Sequence, residues 1–156
     1  VNRRTVVAVL AIGALVAAYL YWASDERQIR RLLAGVAGAV TQEEDAGGVA
    51  GLAEVAGLNR YLAPDVVFEP GAPFSPITGA QDIVSTVGRL RAVMRSVELI
   101  FSDVQVAVDG DAASVRAAAR LTLRDRDGAE TVEMRHALIA LAKGETGWTI
   151  MAARTE

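Results

Sequence analysis

The sequence contains no cysteine, which excludes disulfides, thiolate metal sites and cysteine nucleophiles. A small domain without such staples folds in either redox compartment, so location has to be read from other features. Histidine is nearly as scarce, with His136 alone, and lysine is present only as Lys143 against fifteen arginines. No Gly-rich phosphate loop, metal-ligand cluster or Ser/His/Asp arrangement is recognisable, so neither a metal nor a cofactor is expected. All 19 acidic residues lie after Ser24 together with 14 of the 16 basic ones, leaving that part with a formal net charge of −5. Such a charge argues against a nucleic-acid partner. The chain opens on Val1, which is expected to reflect a GTG start codon in a GC-rich bacterial gene.

What is abundant is apolar length near the N-terminus. Residues 5–22, "TVVAVLAIGALVAAYLYW", carry no charge and no proline, and 18 helical residues span about 27 Å, close to the thickness of a hydrocarbon core. Asn2, Arg3 and Arg4 flank one end, while Tyr19, Tyr21 and Trp22 cluster at the other, where amphipathic rings favour the headgroup layer. A cleaved signal peptide, with "VAA" at 16–18 as its cleavage site, a twin-arginine export signal and a buried helix of a soluble protein, disfavoured because the run is apolar all round, are the competing readings. The apolar run is longer than a usual signal core, and a single-pass inner-membrane anchor contacting membrane lipid is the expectation. Gly13 with Ala17 and Ala14 with Ala18 give small residues at one-turn spacing, a surface on which another helix can pack closely. Arg3 and Arg4 face Arg27, Arg30 and Arg31 across the span; the short N-terminal tail resists translocation, which puts the following domain in the periplasm.

The chain thus divides into a tail and anchor, 1–24, and one domain, 25–156, of a size that buries a core. Ser24 is a plausible N-cap for an amphipathic helix carrying Ile29, Leu32, Leu33, Val36, Ala37 and Val40 on one face, which either starts afresh or runs straight on from the anchor. "TQEEDAGGVAG" breaks the pattern. A second helix follows, with Val49, Leu52, Ala56 and Leu62 as inward candidates. "PDVVFEPG" reads as a short strand between turns. Thr78 and Gln81 have capping-box spacing ahead of a third helix bearing Ile83, Val87, Leu90 and Met94. From Ser96 the period becomes two: Val97, Leu99 and Phe101, then Val104, Val106 and Val108, with a bulge near Ser102. Val115, Ala117, Ala119, Leu121 and Leu123 share one face of the next strand, opposed by Arg116, Arg120 and Arg124. A strand at 131–142 and "WTIMAAR" complete a meander, an α+β order.

"YLAPDVVFEPG", "ITGAQDI", "VELIFSDVQVAVDGDAASVRAAARLTL" and "GWTIMAA" together resemble the nuclear transport factor 2-like superfamily, particularly its SnoaL-like and ketosteroid-isomerase-like branches, over about residues 25–154. The resemblance implies a cone-shaped curved antiparallel sheet packed on about three helices, with a pocket at the open end. Phe68, Phe74, Met134 and Trp148 are the candidate ligand-binding residues. His136, Asp65 and Glu69 are the candidate proton-transfer groups, although a sheet-surface histidine, a turn aspartate and a solvated glutamate are the plainer readings. The aspartate, tyrosine and second aspartate of ketosteroid isomerases do not map, because the tyrosines are Tyr19, Tyr21 and Tyr61. Scytalone-dehydratase-like chemistry requires more than one histidine. Arg116, Arg120, Arg124 and Arg135, interspersed with Glu98 and Glu133, are expected on a solvated face that relatives commonly use as an oligomer or partner interface.

The leading expectation is a non-catalytic accessory or scaffolding subunit of a bacterial membrane complex, for example an energy-transducing or transport assembly, with other membrane subunits or a second copy as partners. The alternatives are a periplasmic small-molecule or lipid-binding module and an enzyme of isomerase, dehydratase or cyclase type. The topology is directly testable: alkaline phosphatase fused after Glu156 is expected to be active in cells, and a silent fusion would place the domain in the cytoplasm.

Overall fold

A computed structural model describes residues 3–44 and 49–156, the first four of these by backbone alone. The flanking side chains of Asn2, Arg3 and Arg4, and residues 45–48 of the acidic, glycine-rich break, lie outside the described part. The first helix, α1 (Arg3–Val40), is a single helix of 38 residues, about 57 Å long. Of the two readings at Ser24 the continuous one holds: the apolar span is itself helical, and its last turn supplies the carbonyls that make a cap unnecessary. Between residues 7 and 22 the helix is exposed on every side, with Leu10 at 67%, Leu15 at 70% and Tyr19 at 71%. A helix belonging to a soluble core buries one face. By length and composition α1 qualifies as a membrane span.

Beyond Trp22 the same helix becomes amphipathic and turns Ile29, Leu32 and Leu33 into the core. It is followed by α2 (Val49–Gly57), a 3₁₀ turn (Leu58–Tyr61), strands β1 (Leu62–Glu69) and β2 (Ile77–Thr78), and α3 (Ala80–Val93). The long strands β3 (Ser96–Asp109), β4 (Ala112–Arg124), β5 (Glu130–Gly144) and β6 (Gly147–Thr155) complete the chain. Tyr61 rests against α1 at Gly35, where any Cβ would collide with its ring.

Two local expectations change. Val49 and Leu52 are exposed and Val55 and Leu58 are buried, because α2 is short and its last turn tightens into the 3₁₀ segment, rotating the inward stripe. Thr78 belongs to β2, and Gly79, with φ 96°, begins α3 without a side-chain cap.

The sheet has the order β2-β1-β6-β5-β4-β3. β3 to β6 form the antiparallel meander, and β1 joins parallel to β6, which makes the sheet mixed. The bulge falls between Ser102 and Gln105, with Asp103 at φ 51°, and it restores the inward phase so that Val104, Val106 and Val108 pack on the core.

α1 lies along β3 at the sheet edge and is fastened at both ends. Trp22 Nε1 donates to the Val108 carbonyl at 3.1 Å and Arg30 Nη2 to the Val104 carbonyl at 3.0 Å. The Leu99 N–H donates to Thr41 Oγ1, and Gln42 and Val97 exchange both backbone hydrogen bonds. These bonds occupy edge groups that would otherwise invite another strand. At the far end of α1, buried Arg91 donates to the Ala39 carbonyl, Gln42 Oε1 and Glu54 Oε2, tying the helix terminus to α2 and α3. Arg124 bridges Glu44 and Glu130, and its hydrogen bond, with Arg95 nearby, holds the Glu44 carboxyl below its ordinary range.

The tightest fastening is where α1 leaves its apolar span. Asp25 is 1% exposed, and its Oδ1 accepts from Lys143 Nζ at 2.8 Å and from Trp148 Nε1 at 3.2 Å, while Lys143 also donates to Tyr21 Oη at 2.9 Å. Burial alone would raise the Asp25 pKa, but the hydrogen bonds from Lys143 and Trp148 outweigh it and the carboxyl lies below its ordinary value. The hydrogen bond to Asp25, then that to Tyr21, raises Lys143. The stability from Asp25 is present above the ordinary carboxylate pKa and is lost as pH falls through the lowered one; that from Lys143 is present below the ordinary lysine pKa and is lost as pH rises through the raised one. The node therefore contributes evenly from about pH 5 to about pH 10. Asp25→Ala should cost about 3 kcal/mol, since it strands a lysine and an indole, and should abolish the part of the acid sensitivity that lies below about pH 4. Urea unfolding of the detergent-solubilised chain checks this by fluorescence, because Trp22 and Trp148 are its only tryptophans and both touch this end of the sheet.

Candidate ligand-binding site

Alternation along the strands sorts the sheet into two faces. On the inner face, in register, lie the rows Val106, Val115 and Ile139; Phe101, Ala119 and Arg135; and Leu99, Leu121 and Glu133. In the first row Val115 and Ile139 are almost fully buried against α1. Toward the other end the sheet carries alanines where larger residues would fill the space, with Ala119, Ala137 and Ala153 facing Val36 and Val40 of α1 and Ile83, Val87 and Leu90 of α3. The result is a cavity of about 420 Å³, within the range of small-molecule sites. The helical periodicity of α3 is thus spent on a cavity wall, which is why Ile83, Val87 and Leu90 are only partly buried.

The wall is apolar, and its ionisable side chains gather at one end. Glu133 and Arg135 line the cavity there, next to Thr155 and the 70–74 loop, with Arg154, opposite the outward-facing Leu138, at the rim. Their partial exposure, together with Phe74 at 60% exposed, marks this end as the mouth. Arg135 Nε lies 3.6 Å from Glu133 Oε2, and Arg135 Nη1 donates to the Pro70 carbonyl at 3.5 Å. Gly71, at φ 76°, brings that loop against the guanidinium. Thr155 Oγ1 donates to the same Pro70 carbonyl at 2.7 Å and holds the loop to β6.

The structure brings together only some of the residues singled out in the sequence. Phe68 and Phe74 line the cavity. Met134 is corrected to the outer face, 69% exposed, because its register partner is Arg120. Trp148 is buried but spends its indole N–H on Asp25, away from the cavity. His136 shares the outer face with Met134 and is exposed, its backbone paired with Glu156. Asp65 is exposed on β1, and Glu69 borders a separate shallow cleft beside the 70–76 loop. These three do not converge on one another or on the cavity. Arg116, Arg120 and Arg124 do share the outer face, but Arg135 is corrected to the inner one, since β5 residues of odd number point inward. For the same reason the Glu133 carboxylate pairs with Arg135, and Arg124 takes Glu44 and Glu130 instead. Gly13, Ala14, Ala17 and Ala18 lie on the exposed span. Among the described residues no three His, Asp or Glu side chains gather as metal ligands.

The outer face also carries an apolar strip. Ile100, Arg120 and Met134 lie side by side across β3, β4 and β5, flanked by Val132, and Ile100, Val132 and Met134 are all exposed.

Comparison with known proteins agrees with this architecture. A family model described as a SnoaL-like domain matches residues 22–154. Among curated proteins none matches the sequence. Similar solved structures include a candidate aromatic ring hydroxylase from Novosphingobium aromaticivorans, 20% identical with a TM-score of 0.72 over 85% of this chain and 88% of that one. An NTF2-like protein with a cystatin-like fold from the same organism is 17% identical, with a TM-score of 0.71 over 90% and 86% of the two chains. A candidate scytalone dehydratase, also from that organism, is 13% identical, with a TM-score of 0.71 over 85% and 83%. At these identities the likeness is one of fold.

Proposed function

The chain belongs to the SnoaL-like domain family, and from that premise we propose that it is a non-catalytic binding module for one small apolar molecule, held at a membrane by α1. The observation that carries this reading is the cavity itself: about 420 Å³, walled by aliphatic and aromatic side chains, with ionisable groups only at its mouth. Isomerase, dehydratase or cyclase chemistry needs an acid or base within hydrogen-bond reach of the bound substrate. His136, Asp65 and Glu69 stand outside this cavity, and the one carboxylate that lines it, Glu133, sits at the mouth beside Arg135. The activities named for similar structures remain theirs. A single-pass anchor in the inner membrane with the domain in the periplasm is part of the same proposal, the span being supported by the apolar, exposed stretch of α1 and the orientation by the short tail carrying Arg3 and Arg4.

A second reading, an accessory or scaffolding subunit of a membrane complex, is favoured by the Ile100, Arg120 and Met134 strip. An apolar strip beside arginine suits a protein partner or a second copy. The two readings concern opposite faces of the sheet and are compatible.

Each has its own measurement. Calorimetric titration of octanol into the full chain in nanodiscs, with empty nanodiscs subtracted, should give a saturable one-to-one heat, and Ala119→Phe, which puts a ring into the cavity, should remove it while cooperative unfolding persists. No saturable heat in the native protein would end the binding reading. For the docking face, Met134→Glu should abolish co-purification of partner chains from native membranes or convert a dimer to a monomer in mild detergent; a native chain already alone and monomeric would end the second reading.

A further inference from the structure

The position of the cavity mouth relative to the anchor, and the groups found there, define its ligand more closely than apolarity does. This inference rests on the binding reading above. Trp22, at the end of the span, bonds to Val108, whose row across the sheet continues through Ala113 to Leu141. Arg135 lies in the row of Ala119, six residues further along β4, a distance of about 20 Å. α1 agrees: Ile29 is fully buried nearer the span, and it is Val36 and Val40, at the far end, that line the cavity. Because α1 is unbroken and fastened to β3 along its length, the packed core faces the membrane side and the mouth faces away from it.

At that mouth Arg135 occupies an inward-facing position, its aliphatic stem against the apolar wall and its guanidinium at the edge, an arrangement suited to a long amphipathic side chain. Its contacts are weak. The approach to Glu133 is 3.6 Å and the bond to the Pro70 carbonyl is 3.5 Å, both longer than a well-formed charge-assisted hydrogen bond. Among the described residues Arg135 Nη2 has no hydrogen-bond partner. A guanidinium held above an apolar chamber with its fork unfilled matches a carboxylate on an apolar body.

We propose that the cavity takes a single-chain apolar acid from the aqueous side, its hydrocarbon among the alanines of the sheet and its carboxylate on Arg135. A volume of about 420 Å³ suits one mid-length chain or a small fused-ring skeleton. A two-chain phospholipid presents a similar anionic head but would have to leave a bilayer on the opposite side of the domain. Glu133 acts as a competing anion beside the binding fork.

The test compares octanoate, octanol and octylammonium by calorimetry on the full chain in phosphatidylcholine nanodiscs. Octanoate is expected to bind at least tenfold more tightly than octanol, and octylammonium more weakly than both. Arg135→Gln should erase the preference for the acid while leaving octanol binding unchanged, and Glu133→Gln should strengthen octanoate binding, a gain that a merely structural role for the pair does not produce. Equal affinities for acid and alcohol would overturn the carboxylate assignment and leave the binding reading standing; octanol failing to bind as well would remove that reading too. Loss of octanoate binding when phosphatidylglycerol is placed in the nanodisc would overturn the aqueous route in favour of the bilayer lipid.

Discussion

Everything else in this structure depends on how α1 is fastened to the edge of the sheet. A helix that leaves an apolar span and then covers β3 has to switch from all-round exposure to one-sided burial within a single turn, and Asp25 stands where that switch occurs. A buried carboxylate is costly unless paired, so its bonds to Lys143 and Trp148 make the placement of the helix specific as well as stable. Bonds to Val108 and Val104 continue the contact, and Arg91 closes it at the other end. The domain is thereby continuous with the helix that carries the apolar span.

The cavity follows from the same arrangement. Once α1 and α3 stand at fixed distances from the curved sheet, the space between them is decided by side-chain volume, and Ala119, Ala137 and Ala153 leave it unfilled. The half nearer the apolar span contains Val115, Leu141 and Trp148 and packs solidly. One sheet face thus serves as packed core and as cavity wall along different stretches of the same strands.

Much of the fold was legible because its signals are local. The charge-free run at 5–22, the two-residue alternation of the long strands and the bulge near Ser102 all rest on patterns within a dozen residues. The site was legible only in part. Alternation along β5 separates Arg135 from Met134 and His136, but which set faces inward depends on pairing with β4, and Arg135 resembles its outward-facing neighbours in chemistry alone. Trp148 was readable as buried but not as bonded, since its acceptor lies 123 residues away. Asp25 looked like the first turn of a new helix because nothing nearby in sequence reveals that Lys143 neutralises it from 118 residues on. Thr78 failed as a cap through competition, as the pairing of Val67 with Thr78 claimed it for a strand first.

The scarcity of lysine has one more outcome. Lys143 is the only side-chain amine in the chain, and in the folded protein it holds Asp25 and Tyr21 with its pKa raised, so the neutral form that acylating reagents attack is suppressed. Chemical labelling of that amine would consequently be slow while the seam between α1 and the sheet is closed and fast once it opens. The protein carries, in one residue, its own reporter of whether α1 and the sheet are joined.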